Sequence, residues 1–84
     1  MYSTSRYASK ETRELAKKLA RENRESYISR GKHTIAQLAE IARKKGEERV
    51  HIVEEKSGRA ALVATIKVDE LGRWGWSGEE KVNE

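Results

Sequence analysis

Residues Tyr27 to Glu54, YISRGKHTIAQLAEIARKKGEERVHIVE, read as a short strand, a basic turn, a helix and a second strand. Two β-rich segments joined by a helix of this length are expected to lie parallel and adjacent with a right-handed crossover, because the helix must pack back on the sheet. The turn Ser29-Arg30-Gly31-Lys32-His33 then lies at the carboxyl edge of the sheet and feeds directly into a helix amino terminus, an arrangement that attracts anions. Thr34-Ile35-Ala36-Gln37 is a full capping box. Ile35, Leu38, Ala39 and Ala42 form the buried stripe with Ile41 at its margin, and Arg43-Lys44-Lys45 and Gly46 close the helix at the negative end of its dipole. Position at the helix end accounts for those three cations without a binding role.

Upstream, Met1 to Thr4 supports a short strand, and Ser5-Arg6-Tyr7-Ala8-Ser9 is a polar turn whose last residue is a good N-cap. The helix that follows is expected from Lys10 to Asn23 or Glu25. At 100° per residue Thr12, Leu15, Ala16, Leu19, Ala20 and Asn23 share its core side, while Lys10, Arg13, Lys17, Arg21 and Arg24 fall within about 80° of one another on the opposite side. This basic stripe spans roughly 21 Å, long enough to follow several successive phosphates. Spacing allows Lys10 to meet Glu14 and Arg21 to meet Glu25, whereas Arg13 and Lys17 repel each other.

Downstream, Arg49 to Glu55 alternates as a strand with Val50 and Ile52 on one face, and Lys56-Ser57-Gly58-Arg59 turns into a further strand from Ala60 to Val68. That strand is apolar on both sides: Leu62, Ala64, Ile66 and Val68 on one, Ala61, Val63 and Thr65 on the other. Both helices are expected on one side of the sheet, so the second face calls for cover from the tail or from another chain. The tail carries Trp74 and Trp76 on one side of an extended segment, next to Arg73. These rings suit either base stacking or an interface. Residues 1–78 are expected to form one domain and residues 79–84 a disordered tail.

A chain of 84 residues supports one modest core. With no cysteine there is neither a disulfide nor a thiolate metal site, and no apolar run reaches membrane-spanning or signal-peptide length, so a cytoplasmic protein that does not engage membranes is expected. Charged residues at 38% with no proline resemble thermophile composition. Charge is unevenly distributed: residues 1–49 hold 13 Lys and Arg against 7 Asp and Glu, and residues 50–84 hold 5 against 7. A basic half and a pI near 9.5 favour a polyanionic partner over a small neutral substrate.

Catalytic patterns are weak. Gly31-Lys32-x-Thr34 lacks the earlier glycine of a phosphate loop, since that spacing falls on Tyr27. His33 and His51 have no spaced ligand partners, Glu54 and Glu55 point to opposite strand faces, and the serines lack a nucleophile elbow. The expectation is a non-enzyme without metal or cofactor. The two strand-to-helix turns, each with hydroxyls, an arginine and helix amides, instead suit phosphate oxygens.

Thr4-Ser5-Arg6 with the basic helix after it, then Ile28-Ser29-Arg30-Gly31-Lys32, the helix Thr34 to Lys45 and Arg49-Val50-His51-Ile52-Val53, resemble the amino-terminal half of the archaeal Brix-domain proteins, over roughly residues 3–76. The resemblance implies an α+β fold of order βαβαββ, a two-layer sandwich with a mixed sheet and two helices, similar to the anticodon-binding domain of class II aminoacyl-tRNA synthetases. It also implies a ribosome-biogenesis role through ribosomal RNA, with ribosome-assembly proteins as further partners. A Brix domain has two such halves and this chain one, which makes a homodimer an expectation. The nucleic-acid-binding residues expected are Arg6, Lys10, Arg13, Lys17, Arg30, Gly31, Lys32 and Arg73, with Trp74 and Trp76 for stacking or an interface. Two other readings keep the topology: an Alba-like dimeric chromatin protein using the Lys56–Arg59 hairpin as an arm, and a protein-interaction module using the Trp-bearing sheet face.

Overall fold

The computed structural model describes residues 1–82. Its elements follow in the order β1 (Tyr2–Thr4), α1 (Lys10–Glu22), α2 (Ile35–Lys44), β2 (Arg49–Lys56), β3 (Arg59–Val68) and β4 (Trp74–Lys81). The sheet order is β1-β2-β3-β4, parallel between β1 and β2 and antiparallel beyond. The α+β class with two helices and a mixed sheet is therefore as expected.

Residues 27–29 form less than a strand. Tyr27 makes a single parallel bridge to Tyr2, supported by the Tyr2 amide donating to Ser26 O (2.8 Å) and the Ile28 amide to Tyr2 O (2.9 Å). β1 thus lies between this segment and β2, so the two ends of the Tyr27–Glu54 unit are parallel but not adjacent. The chain steps outward from β1 to Tyr27 through α1, then back past β1 to β2 through α2. Right-handed crossovers taken in opposite directions along a sheet place their helices on opposite faces.

The packing follows that rule. α2 covers Val50, Ile52, Ile66 and Val68 together with Met1, while α1 covers Tyr2, Val53 and Val63. The layers are helix, sheet, helix, not the expected two, and both apolar faces of β3 are covered from within the chain. Ala16 and Ala20 of α1 and Ala39 and Ala42 of α2 are fully or almost fully buried, small residues that let each helix approach the sheet closely. β4 runs on through Glu79, Glu80 and Lys81, opposite Ala64, Val63 and Leu62, so these residues belong to the sheet and not to a tail. Residues 83 and 84 lie outside the described residues.

Short as it is, β1 is buried throughout. The amino group of Met1 reaches the carboxylates of Glu25 and Glu47, and Ser26 Oγ donates to Glu47 (2.7 Å). His51 stacks on Tyr2 with ring centroids 4.5 Å apart, and its Nδ1 lies 2.8 Å from Thr65 Oγ1. Ser3 is completely buried, and its hydroxyl meets no hydrogen-bond partner among the described residues. Removing an unpaired buried hydroxyl removes its desolvation penalty, so Ser3→Ala should raise the unfolding free energy by about 1 kcal/mol, read from the urea midpoint.

Burial, reinforced by the Met1 ammonium and Arg49 and opposed by Glu25, makes His51 harder to protonate in the fold than in the unfolded chain. The unfolded state therefore takes up the proton first as pH falls. Stability is full above the ordinary histidine range and declines on passing down through it. Urea midpoints should drop between about pH 7.5 and about pH 5.5, and His51→Gln should flatten that portion of the profile.

Candidate nucleic-acid interface

Because β1 and the Tyr27 segment run side by side in the same direction, their following turns open at one edge of the sheet. The Ser5 amide donates to Val53 O (3.0 Å), which ends the pairing of β1, and the chain then turns through Arg6 and Tyr7 to the N-cap Ser9. On the other side Gly31 takes a left-handed φ of +50° and the His33 amide donates to Arg30 O (3.0 Å), delivering the chain to the N-cap Thr34.

Arg30 ties the turns together. Its Nη1 donates to Thr4 O (3.0 Å) and its Nε to His33 O (2.8 Å). Burial and then the charge of Arg6 make Arg30 less basic than a free arginine, with Glu54 opposing, so the two guanidinium groups share one electrostatic environment. A cleft of ≈ 630 Å³ lies between the turns, lined by Ser5, Arg6, Tyr7, Arg13, Ser29, Arg30, Gly31 and Lys32 with Thr4 and Ala8. Arg6, Arg13, Arg30 and Lys32 thus face one space, and no carboxylate is among its lining residues.

The helix termini contribute less than their position promised. At α1 the Ser9 amide donates to the Glu55 carboxylate and the Thr12 amide to Ser9 Oγ (3.3 Å). Hydrogen bonds from Thr12 and then Ser9 hold the Glu55 carboxyl below the usual range, so this end of the helix already has its anion. At α2 the capping box satisfies the Thr34 and Gln37 amides internally (2.8 and 3.1 Å). The capacity left for an external anion resides in the side chains, in the amides of Gly31 and Lys32, and in the first-turn amides of Lys10, Glu11, Ile35 and Ala36, for which no acceptor is found among the described residues.

Along α1, Lys10 and Arg13 are exposed and make no ion pair among the described residues, so the stripe continues out of the cleft. Lys17 is tied down: its Nζ lies 3.7 Å from Glu14 and 5.6 Å from the centre of the Tyr27 ring. The pairs expected from spacing do not form, because Glu14 takes Lys17 and Glu25 takes the Met1 ammonium and His51.

Arg73, Trp74 and Trp76 lie elsewhere. Pairing of Arg49 with Lys67 and of Val68 with Trp74 sets them at the amino end of β1 and β2, the edge opposite the cleft. Arg73 Nε is 2.7 Å from Asp69, and the two indoles meet edge to face at 6.2 Å, 38% and 58% exposed. A larger cleft there, ≈ 740 Å³, sets Arg43, Arg49, Lys67 and Arg73 against Glu47, Glu48, Asp69 and Glu70. Its charges balance, which does not suit a polyanion.

Sequence reasoning missed Tyr7. It lines the cleft, is 100% exposed and holds a left-handed φ of 58°. The available signal was an aromatic between Arg6 and Ala8 in a turn too short to bury it.

Among the described residues no group of three or more His, Asp or Glu is arranged to hold a metal ion, and no helix is long and apolar enough to cross a membrane. Fold and site together define an α+β domain with a cationic cleft at one sheet edge. The solved structure of Mil, an archaeal Imp4-like protein, matches 93% of this chain with a TM-score of 0.76 and 32% identity. A probable ribosomal biogenesis protein from Aeropyrum pernix K1 matches 99% of the chain with a TM-score of 0.87 and 23% identity. The chain spans 47% of each of those chains. The resemblance to half of an archaeal Brix-domain protein therefore holds in three dimensions. No family model matches the sequence, and no curated protein sequence matches it.

Arg30 has a structural duty that Lys32 lacks. Arg30→Ala should lower stability by about 1 to 3 kcal/mol through the two lost carbonyl contacts, while Lys32→Ala should stay within about 0.5 kcal/mol, by chemical denaturation of both variants.

Proposed function

We propose that this chain is a non-catalytic, RNA-binding half-domain acting in ribosome biogenesis, which holds folded ribosomal RNA by its phosphate backbone. The observation that carries the reading is the carboxylate-free cleft into which both turns send arginine or lysine. Arg6, Arg30 and Lys32 are the central contacts, and Lys10 and Arg13 extend the track along α1. Lys17, shared between Glu14 and Tyr27, supports the helix more than the ligand. Recognition of this kind reads charge and shape, with the backbone contacts setting register and no base identity implied. The names of the solved neighbours, one Imp4-like and one a probable ribosomal biogenesis protein, favour ribosome assembly over other RNA work.

The Alba-like reading would use the exposed hairpin Lys56–Arg59, which closes over Ser57 and Gly58, and competition between duplex DNA and folded ribosomal RNA separates it from the reading above. A protein-docking role is favoured by one observation, the charge-balanced cleft beside the exposed Trp74 and Trp76. We assign that edge to an assembly protein or to a second copy. Sedimentation at tens of micromolar decides whether a homodimer forms.

Five neutralised phosphates, one each for Arg6, Lys10, Arg13, Arg30 and Lys32, give an expected slope of log K against log salt of roughly −3.5 to −4.5. Fluorescence anisotropy with a structured RNA over a salt series measures it. Lys32→Ala should reduce the slope by about one unit, and a flat response rejects the reading.

A further inference from the structure

We propose that Tyr7 is a stacking platform for one unpaired nucleobase, so that the cleft receives a flipped-out or single-stranded nucleotide and not duplex backbone alone. The proposal rests on the RNA-binding reading above and makes its ligand specific. Three observations meet at this residue. First, the ring is 100% exposed, whereas Tyr2 is buried against His51 and Tyr27 is half-buried beneath Lys17. A tyrosine normally contributes to a fold through the large area its ring buries, and here the ring buries none.

Second, the backbone holds a φ of 58°, a region that glycine or asparagine enters easily and a bulky side chain does not. The fold therefore carries a local cost for an aromatic that returns nothing to the core. Strain of this kind, retained at a cleft, points to use by a ligand. Third, Tyr7 is among the residues that line the cleft collecting Arg6, Arg13, Arg30 and Lys32. Consecutive residues thus offer a guanidinium and an aromatic face, which matches a nucleotide's joined phosphate and base. Each ring face is otherwise open to water. A base held in a helix is stacked on both sides and cannot reach such a platform, whereas a bulged or looped base can. Trp74 and Trp76, the aromatics that composition brings forward for stacking, are separated from these cations by the length of the sheet.

The test compares two RNA hairpins of equal phosphate count, one fully paired and one with a single-stranded bulge, binding to wild type, Tyr7→Phe, Tyr7→Ala and Tyr7→Gly. Wild type and Tyr7→Phe should favour the bulged hairpin, by roughly 5- to 150-fold for a single stacked base. Tyr7→Ala and Tyr7→Gly should lose that preference while keeping the wild-type salt slope. Tyr7→Gly also relieves the backbone, so thermal unfolding should show it at least as stable as wild type, which separates lost stacking from misfolding. Steep salt dependence with equal affinity for the two hairpins, or a preference that survives in Tyr7→Ala and Tyr7→Gly, overturns the stacking role and leaves the phosphate reading standing. Loss of the preference in Tyr7→Phe assigns it to the hydroxyl and also overturns stacking. Failure of wild type to bind either hairpin in a salt-dependent way rejects the RNA reading itself.

Discussion

A three-residue strand, Tyr2–Thr4, is held in the interior of the sheet between the Tyr27 segment and β2, and the rest of the molecule is arranged by that insertion. It makes the path from β1 to Tyr27 and the path from Tyr27 to β2 run in opposite directions, and the handedness of such crossovers then commits α1 and α2 to opposite faces. A three-residue strand has little pairing energy of its own. Its hold comes from burial on both faces, from amide contacts on both edges and from Glu25 and Glu47 gathered about the Met1 ammonium.

The same reversal makes the cleft. In a parallel pair whose connections leave in opposite directions, the turns after the two strands diverge and leave a crevice at the carboxyl edge. Here Arg30 spans the crevice to Thr4 O and holds its own turn through His33 O. One side chain thus does two things that are usually separate: it sets the distance between the turns and supplies positive charge to the space between them. Glu55 at the N-terminus of α1 works the other way, using the Ser9 amide that an external anion would otherwise meet. The cations that line the cleft are left at several separate points, on both turns and on the first turn of α1.

What the sequence made legible follows the range of the forces involved. Local signals were read well: the capping box at Thr34, the N-cap Ser9, the core stripes of both helices and the tight turn at Ser57-Gly58 all depend on residues within a few positions of each other. The two-sided apolar pattern of β3 was equally plain. What covers it was not, because the choice between one face and two depends on strand order, and strand order is set by β1, whose three residues carry almost no pattern. The ion pairs of α1 went astray for a related reason. Spacing offered Glu25 to Arg21, but the chain reverses after Arg24, which has a φ of 55°, and Glu25 is carried to Met1 and His51 instead. Arg6, Arg30 and Lys32 were singled out by type and turn position and Arg13 by its place on the helix stripe, and all four line one cleft, whereas Arg73, singled out beside the tryptophans, lies at the far edge.

Covering about half of each solved neighbour raises the question of what the remaining half would meet. The chain's own helices close both faces of the sheet over β1, β2 and β3, whereas β4 is left exposed throughout. The carboxyl edge carries unbalanced positive charge and repels a second copy of itself. The opposite edge balances four cations against four anions around Trp74, a pattern that can satisfy a protein surface without a large desolvation penalty. β4 adds a free row of backbone donors and acceptors beside it, every residue exposed. The two edges therefore differ in charge, cationic where β1 ends and balanced where it begins.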